Sequence, residues 1–275
     1  MLLTITLLVL IGGLSAIIGS IVGIGGGIII VPTMVYLGVE HGLLHNITTQ
    51  VAIGTSSVIL IVTGLSSSLG YLKTKQVDIK NGSIFLFGLL PGSLLGSFIS
   101  RYLTFESFNL YFGIFLIFVA ILLMVRNKIK PFKIFDKPKY EKTYVDAKGK
   151  TYHYSVPPLF AFITTFLIGI LTGLFGIGGG ALMTPLMLIV FRFLPHVAVG
   201  TSMMMIFFSS VMSSIGHIAQ GHVAWGYAII LIISSYFGAK IGVKVNQSIK
   251  SDTVVTLLRT VMLLMGIYLI IRALI

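Results

Sequence analysis

Apolar residues recur in runs of about twenty along this chain, the length that carries a helix across a bilayer, and polar residues cluster between the runs. Long runs cover about 2–22, 47–71, 82–100 and 107–125, then 158–175, 197–219, 223–245 and 252–274. Each suffices, as a helix, to cross about 30 Å of hydrocarbon. Two shorter runs, about 28–38 and 181–191, follow the first long run of each series. The pattern predicts an all-α polytopic membrane protein with about eight full spans and two short segments.

The pattern occurs twice because the sequence repeats. Gly23-Ile24-Gly25-Gly26-Gly27 is followed by Pro32, and Gly176-Ile177-Gly178-Gly179-Gly180 by Pro185, an offset of 176 − 23 = 153. Ala52-Ile53-Gly54-Thr55-Ser56 matches Ala198-Val199-Gly200-Thr201-Ser202 at an offset of 198 − 52 = 146. That second offset also pairs Gly70 with Gly216, Val77 with Val223, Gly92 with Gly238 and Gly96 with Gly242. The expected organisation is a first membrane repeat over 1–126, a basic linker over 127–156 and a second membrane repeat over 157–275.

Composition agrees with a membrane protein. Of 275 residues, 56% are hydrophobic and 9% charged, against about 25% charged in soluble domains. The absence of cysteine excludes disulfides, zinc–cysteine sites and iron–sulfur clusters. The N-terminal run lacks the basic residues of a secretory signal and belongs to the repeat, so it is expected to stay in the mature protein.

The net charge of +12 could suggest nucleic acid, but Arg126 and eight lysines sit together between Arg126 and Lys150. A cytoplasmic loop obeying the positive-inside rule accounts for them, and no nucleic-acid partner is expected. Charge also orients the spans. If the chain turns back at each glycine cluster, Lys73, Lys75, Lys80, the linker, Arg192, Lys240, Lys244 and Lys250 share one side, leaving Arg101 and Arg272 opposite. If each long and short run formed one kinked span, these charges would divide between the two sides. The expectation is therefore two inverted halves, with broken helices or re-entrant hairpins at the glycines and both termini outside.

Non-helical backbone at membrane depth survives only when buried in protein or lining a cavity. Gly25, Gly26, Gly27, Gly178, Gly179 and Gly180 would leave unpaired N–H groups at the start of each short helix, where the dipole favours negative charge. Gly19/Gly23, Gly92/Gly96 and Gly238/Gly242 have the four-residue spacing of close helix packing. The Gly54-Thr55-Ser56 and Gly200-Thr201-Ser202 triplets offer hydroxyl donors, although such hydroxyls also bond back to helix carbonyls.

No Asp or Glu falls in the middle of a run, which disfavours carboxylate-based ion coupling. A neutral, donor-rich site suits an anion. The histidines lie near run ends or in turns, with no metal-ligand spacing, so neither metal nor cofactor is expected. The methionines of 203–205 and the phenylalanines read as lipid-facing or packing residues, and no HExxH, P-loop or GxSxG motif occurs.

The paired Gly-Ile-Gly-Gly-Gly-x4-Pro and Ala-[Ile/Val]-Gly-Thr-Ser motifs resemble those of the TauE/SafE sulfite-exporter family of membrane transporters, over nearly the whole chain. The resemblance implies transport of small sulfur-containing anions such as sulfite, sulfonates or thiosulfate. One departure between the copies is Gln50 where the second has His196. A secondary transporter or facilitator working by alternating access, in the export direction, is expected in the cell membrane. The sequence leaves a passive anion channel and an intramembrane or lipid-handling enzyme as alternatives, although no catalytic constellation supports the enzyme. It leaves oligomeric state open, a homodimer included.

Overall fold

The computed structural model describes residues 2–102, 105–125, 141–145 and 151–274. Ten α-helices dominate them. In the first part these are α1 (Leu2–Val22), α2 (Gly27–Val35), α3 (Thr49–Lys73), α4 (Ile79–Ile99) and α5 (Phe105–Val125). In the second they are α6 (Pro158–Phe175), α7 (Gly180–Ile189), α8 (Pro195–Ala219), α9 (Trp225–Ser248) and α10 (Ser251–Leu274). The same order recurs: one long helix, one short, three long. Among the described residues seven helices are long and apolar enough to cross a membrane, and the stretches Gly27–Val39, Asn109–Val125 and Gly180–Ile189 are shorter apolar helices.

Local chemistry sets several boundaries. Thr48 caps α3 by accepting from the Val51 N–H at 3.2 Å. Asp78 caps α4 through the Asn81 N–H at 3.1 Å and takes a second bond, at 2.6 Å, from the Asn81 side chain. Pro158 and Pro195 open α6 and α8, where a missing N–H costs nothing.

The linker holds one feature its charge did not announce. Glu141–Val145 (β1) pairs antiparallel with Thr151–Ser155 (β2), Glu141 opposite Ser155. Residues 126–140 and 146–150, which carry most of the basic linker, lie outside the described residues.

α3 and α8 form the central pair. Their spans are 78% and 72% buried, against 28–44% for α1, α4, α6, α9 and α10. The outer helices turn side chains such as Phe87, Leu159 and Leu264 outward, as a lipid-facing surface requires. α3 and α8 run antiparallel: Ser57 meets Ser213, and Gly64 lies on the Phe207 backbone. α5 and α10 also cross antiparallel, Gly113 against Gly266 and Ile270 and Gly266 against Ile117.

Two further pairs, α4 with α6 and α1 with α9, join the two parts and run parallel. Gly88, Gly92 and Gly96 of α4 lie successively on Phe162, Phe166 and Ile170 of α6. Gly238 and Gly242 of α9 lie on Gly13 and Ile17 of α1. In all of these a Cβ would collide with a backbone carbonyl, so glycine permits the approach. Gly19 and Gly23 divide: Gly23 packs on Val199 and Ser202 of α8, as its spacing suggested, and Gly19 does not. Gly19 lies on Gly25 and Gly26 of its own turn, and Gly23 takes φ 78° within it.

The chain doubles back at the glycines. Gly26 lies against Ser15, well back along α1, and the His45 N–H bonds the Tyr227 hydroxyl at the start of α9, which runs parallel to α1. The loop after α2 thus returns to the end of the bundle where α1 begins. Met203, Met204 and Met205 are buried, so they pack in the core.

Candidate functional site

Two turns occupy the middle of the bundle. After α1, the N–H groups of Ile24 and Gly25 both bond the Gly19 carbonyl, at 2.8 and 3.1 Å. After α6, the Gly176 N–H bonds the Thr172 carbonyl at 2.9 Å. Gly26 and Gly179 then cap α2 and α7 with φ of 92° and 73°, a left-handed conformation that costs other residues energy.

The turns touch each other. A Cβ on Gly27 would stand 2.7 Å from the Gly176 carbonyl oxygen, and one on Gly180 would stand 2.5 Å from the Gly23 carbonyl oxygen. The start of each short helix therefore abuts the other part's turn. The N–H groups of Gly27 and Ile28 make no turn or capping bond to the backbone among the described residues, whereas residues 178–179 form a hydrogen-bonded turn leading into Gly180. Two helix N-termini, each with the partial positive charge of a helix start, meet at this contact.

Apolar side chains bracket that contact. Leu60 and Ile206, paired by the 146-residue offset, both lie within about van der Waals contact of Gly25 and Gly178. They stand near the midpoints of α3 and α8 and are fully buried. Nothing in the sequence distinguished them from other leucines and isoleucines.

The Gly-Thr-Ser triplets tie the turns to the frame. Gly54 lies on the His222 carbonyl and Gly200 on the Gln76 carbonyl. The Thr55 hydroxyl accepts from the Ala224 N–H at 3.0 Å, and Thr201 accepts from the Asp78 N–H at 2.9 Å. Ser56 donates to the Gly176 carbonyl and Ser202 to the Gly23 carbonyl, both at 2.9 Å. Thr184 adds bonds to Gly23 (2.9 Å) and Ser202 (2.8 Å). In this conformation all four triplet hydroxyls thus bond backbone atoms.

Thr184 and Ser209, which donates to the Gly178 carbonyl at 3.1 Å, are contacts the sequence did not single out. Two cavities open elsewhere. One, of about 360 Å³, is lined by Lys73, Tyr236 and Lys240 among others, and the other is apolar. Neither is lined by a glycine of the turns.

Two histidine side chains make hydrogen bonds here. His196 Nδ1 pairs with Asn246 Oδ1 at 2.9 Å, and His217 Nε2 with the Gly173 carbonyl at 3.0 Å. Burial holds the His222 imidazole, in the α8–α9 turn, below its usual range. Among the described residues no group of three His, Asp or Glu side chains could hold a metal.

The sequence model described as "Sulfite exporter TauE/SafE" matches residues 8–269. The chain belongs to the TauE/SafE family. Within reach of this TauE/SafE chain, Probable membrane transporter protein YunE of Bacillus subtilis is 43% identical over 264 residues, covering 96% of both chains. A probable membrane transporter protein of Methanocaldococcus jannaschii is 26% identical over 279 residues, 98% of this chain and 96% of its own. "Sulfite exporter TauE/SafE family protein 2" of Arabidopsis thaliana is 38% identical over 90 residues, 33% of this chain and 19% of its own. No solved structure matches. Family and relatives together make this TauE/SafE chain a multi-pass membrane transporter.

Proposed function

We propose that the chain exports small sulfur-containing anions (sulfite, sulfonate, thiosulfate or similar) across the cell membrane by alternating access. The observation that carries this reading is the contact of the two helix starts at Gly27 and Gly180, where two helix dipoles meet in a region without carboxylates. An oxyanion there gains from both dipoles. The family description contributes the sulfur chemistry.

The two halves act as inverted repeats in this reading. The antiparallel meeting of α3 with α8 and of α5 with α10, each a pair of repeat counterparts, supports that relation. Leu60 and Ile206 close the site on either side, and rocking of the halves frees one side at a time. Lys73, Lys75, Lys80, Arg192, Lys244 and Lys250 belong to the cytoplasmic end, with the linker, and Arg101 and Arg272 to the outer end. An inside-negative potential then favours export by about 2.3 kcal/mol per charge per 100 mV.

Flux of labelled sulfite in proteoliposomes tests the proposal. Gly26→Val and Gly179→Val are expected to abolish flux while the protein remains in the membrane. Unimpaired flux in both would remove the glycine turns as the site, and no flux of any sulfur anion in the unaltered protein would remove the substrate class.

A further inference from the structure

Burying a polar atom without a partner is costly, and folded proteins avoid it. Among the described residues six buried side-chain atoms lack one: Asn81 Oδ1, Ser210 Oγ, Ser214 Oγ, His217 Nδ1, Gln220 Oε1 and His222 Nδ1. Five of the six fall on the second half of α8 and the turn that follows it. Ser210, Ser214 and His217 are spaced four and then three apart, so they share one face of the helix.

That face has a beginning and an end. Ser210 adjoins the second glycine turn: its Oγ is 3.2 Å from where a Gly178 Cβ would stand. His217 touches α6 through the Gly173 carbonyl, and its ring centroid is 6.4 Å from that of His222. Ser210 and His217 are fully buried, whereas Gln220 and His222 are half-buried at the end of the bundle.

The repeat supplies an internal control. At the offset of 146, Ser210, Ser214, His217 and Gln220 correspond to Gly64, Ser68, Tyr71 and Thr74. Gly64 has no side chain. Ser68 donates to the Leu65 carbonyl at 3.2 Å and Tyr71 to the Ser20 carbonyl at 2.8 Å. The Thr74 hydroxyl donates to the Tyr71 carbonyl or to the Gln76 side chain. The face of α3 is thus internally satisfied where the same face of α8 is not. His217 and Tyr71 even use equivalent acceptors, Gly173 and Ser20, but only the imidazole leaves a second polar atom over.

We infer that the Ser210–Ser214–His217 face of α8 lines a hydrated route for the anion between the glycine turns and the end of the bundle at Gln220 and His222, and that the matching face of α3 is closed. Hydroxyl and imidazole groups suit this role, because they can trade bonds with water and an oxyanion without a fixed charge that would hold it. The two halves therefore differ in access despite their shared ancestry. The inference rests on the transport reading above, with the outer side taken as the Gln220 end.

The chain has no cysteine, so a single introduced thiol is the only one present. Ser214→Cys and Ser68→Cys occupy equivalent places in the two halves. A charged, membrane-impermeant methanethiosulfonate is applied to Ser214→Cys from the outer side of intact cells and to Ser68→Cys from the cytoplasmic side of inside-out vesicles, so that each thiol is approached from the end its own helix face leads to. It is then washed away, and sulfite flux is read in the same membranes. Ser214→Cys is expected to react at least about tenfold faster than Ser68→Cys, since only a hydrated thiolate attacks, and its modification is expected to block flux. Ser210→Cys, deeper on the face, is expected to react more slowly than Ser214→Cys but still faster than Ser68→Cys, and it replaces Ser214→Cys if that variant does not fold.

A flux-competent Ser214→Cys that stays unmodified, or equal rates at both positions, would overturn the route while leaving the substrate reading intact. Selective modification of Ser214→Cys in a protein that moves no sulfite supports the route and sinks the substrate reading instead.

Discussion

The Ser56 hydroxyl donates to the carbonyl oxygen of Gly176 at 2.9 Å, across 120 residues of chain. Ser202 repeats the bond on Gly23, but there Thr184 donates to the same oxygen. Removing Ser56 leaves the Gly176 carbonyl without its side-chain donor, whereas removing Ser202 leaves Thr184 in place. Ser56→Ala should therefore cost about 1–3 kcal/mol and Ser202→Ala less, about 1 kcal/mol. Thermal unfolding in detergent should rank the unaltered protein first, then Ser202→Ala, then Ser56→Ala. The reverse order would show that these bonds do not set the strength of the joint.

Gly180 should tolerate no side chain. An alanine Cβ there would collide with the Gly23 carbonyl and Ile206, so Gly180→Ala should lose flux. Gly226 in α9 has nothing within 4 Å of its would-be Cβ. Gly226→Ala should keep flux and raise helix stability by up to about 1 kcal/mol. Equal flux in the two variants would argue against a tight meeting of the turns.

Leu60 and Ile206 should act as the barrier on either side of the site. Replacing both with alanine opens space beside the two helix starts. The double variant should carry larger sulfonates relative to sulfite, with a faster passive leak, when flux is compared across a size series in proteoliposomes. An unchanged size preference would assign the barrier elsewhere.

Sidedness follows from the basic residues. In the Cys-free chain, Arg101→Cys should react with an impermeant thiol reagent on intact cells, and Lys80→Cys only after the cells are opened. Reaction of both on intact cells would contradict the assigned orientation.

The spans were legible because a bilayer imposes a length and an apolar face. The run about 197–219 became α8, Pro195–Ala219, and the run about 252–274 became α10, Ser251–Leu274. The glycine turns were legible because three adjacent glycines exceed what packing needs, and Gly92 and Gly96 showed their packing role by their spacing. Leu60 and Ile206 were invisible, since an apolar residue in an apolar helix carries no mark of where it points. Thr55 and Ser56 were ambiguous for another reason. A hydroxyl can serve a ligand or the backbone equally well; here Thr55 accepts from the Ala224 N–H and Ser56 donates to the Gly176 carbonyl. The β1–β2 hairpin escaped notice because its charges spoke louder than its alternation.

The parallel pairing of α1 with α9 and of α4 with α6 bears on how the protein is made. α1 leaves the ribosome well before α9: Gly238 and Gly242, which seat against it, are synthesised more than two hundred residues later. Until then α1 must wait in the bilayer with the carbonyls of Gly13 and Ile17 uncovered, and assembly of such late contacts is slow. A nascent chain cut within the linker would insert its helices but leave α1 and α4 both unmated. Quality control in the membrane should therefore treat the first half alone as a fragment to be cleared.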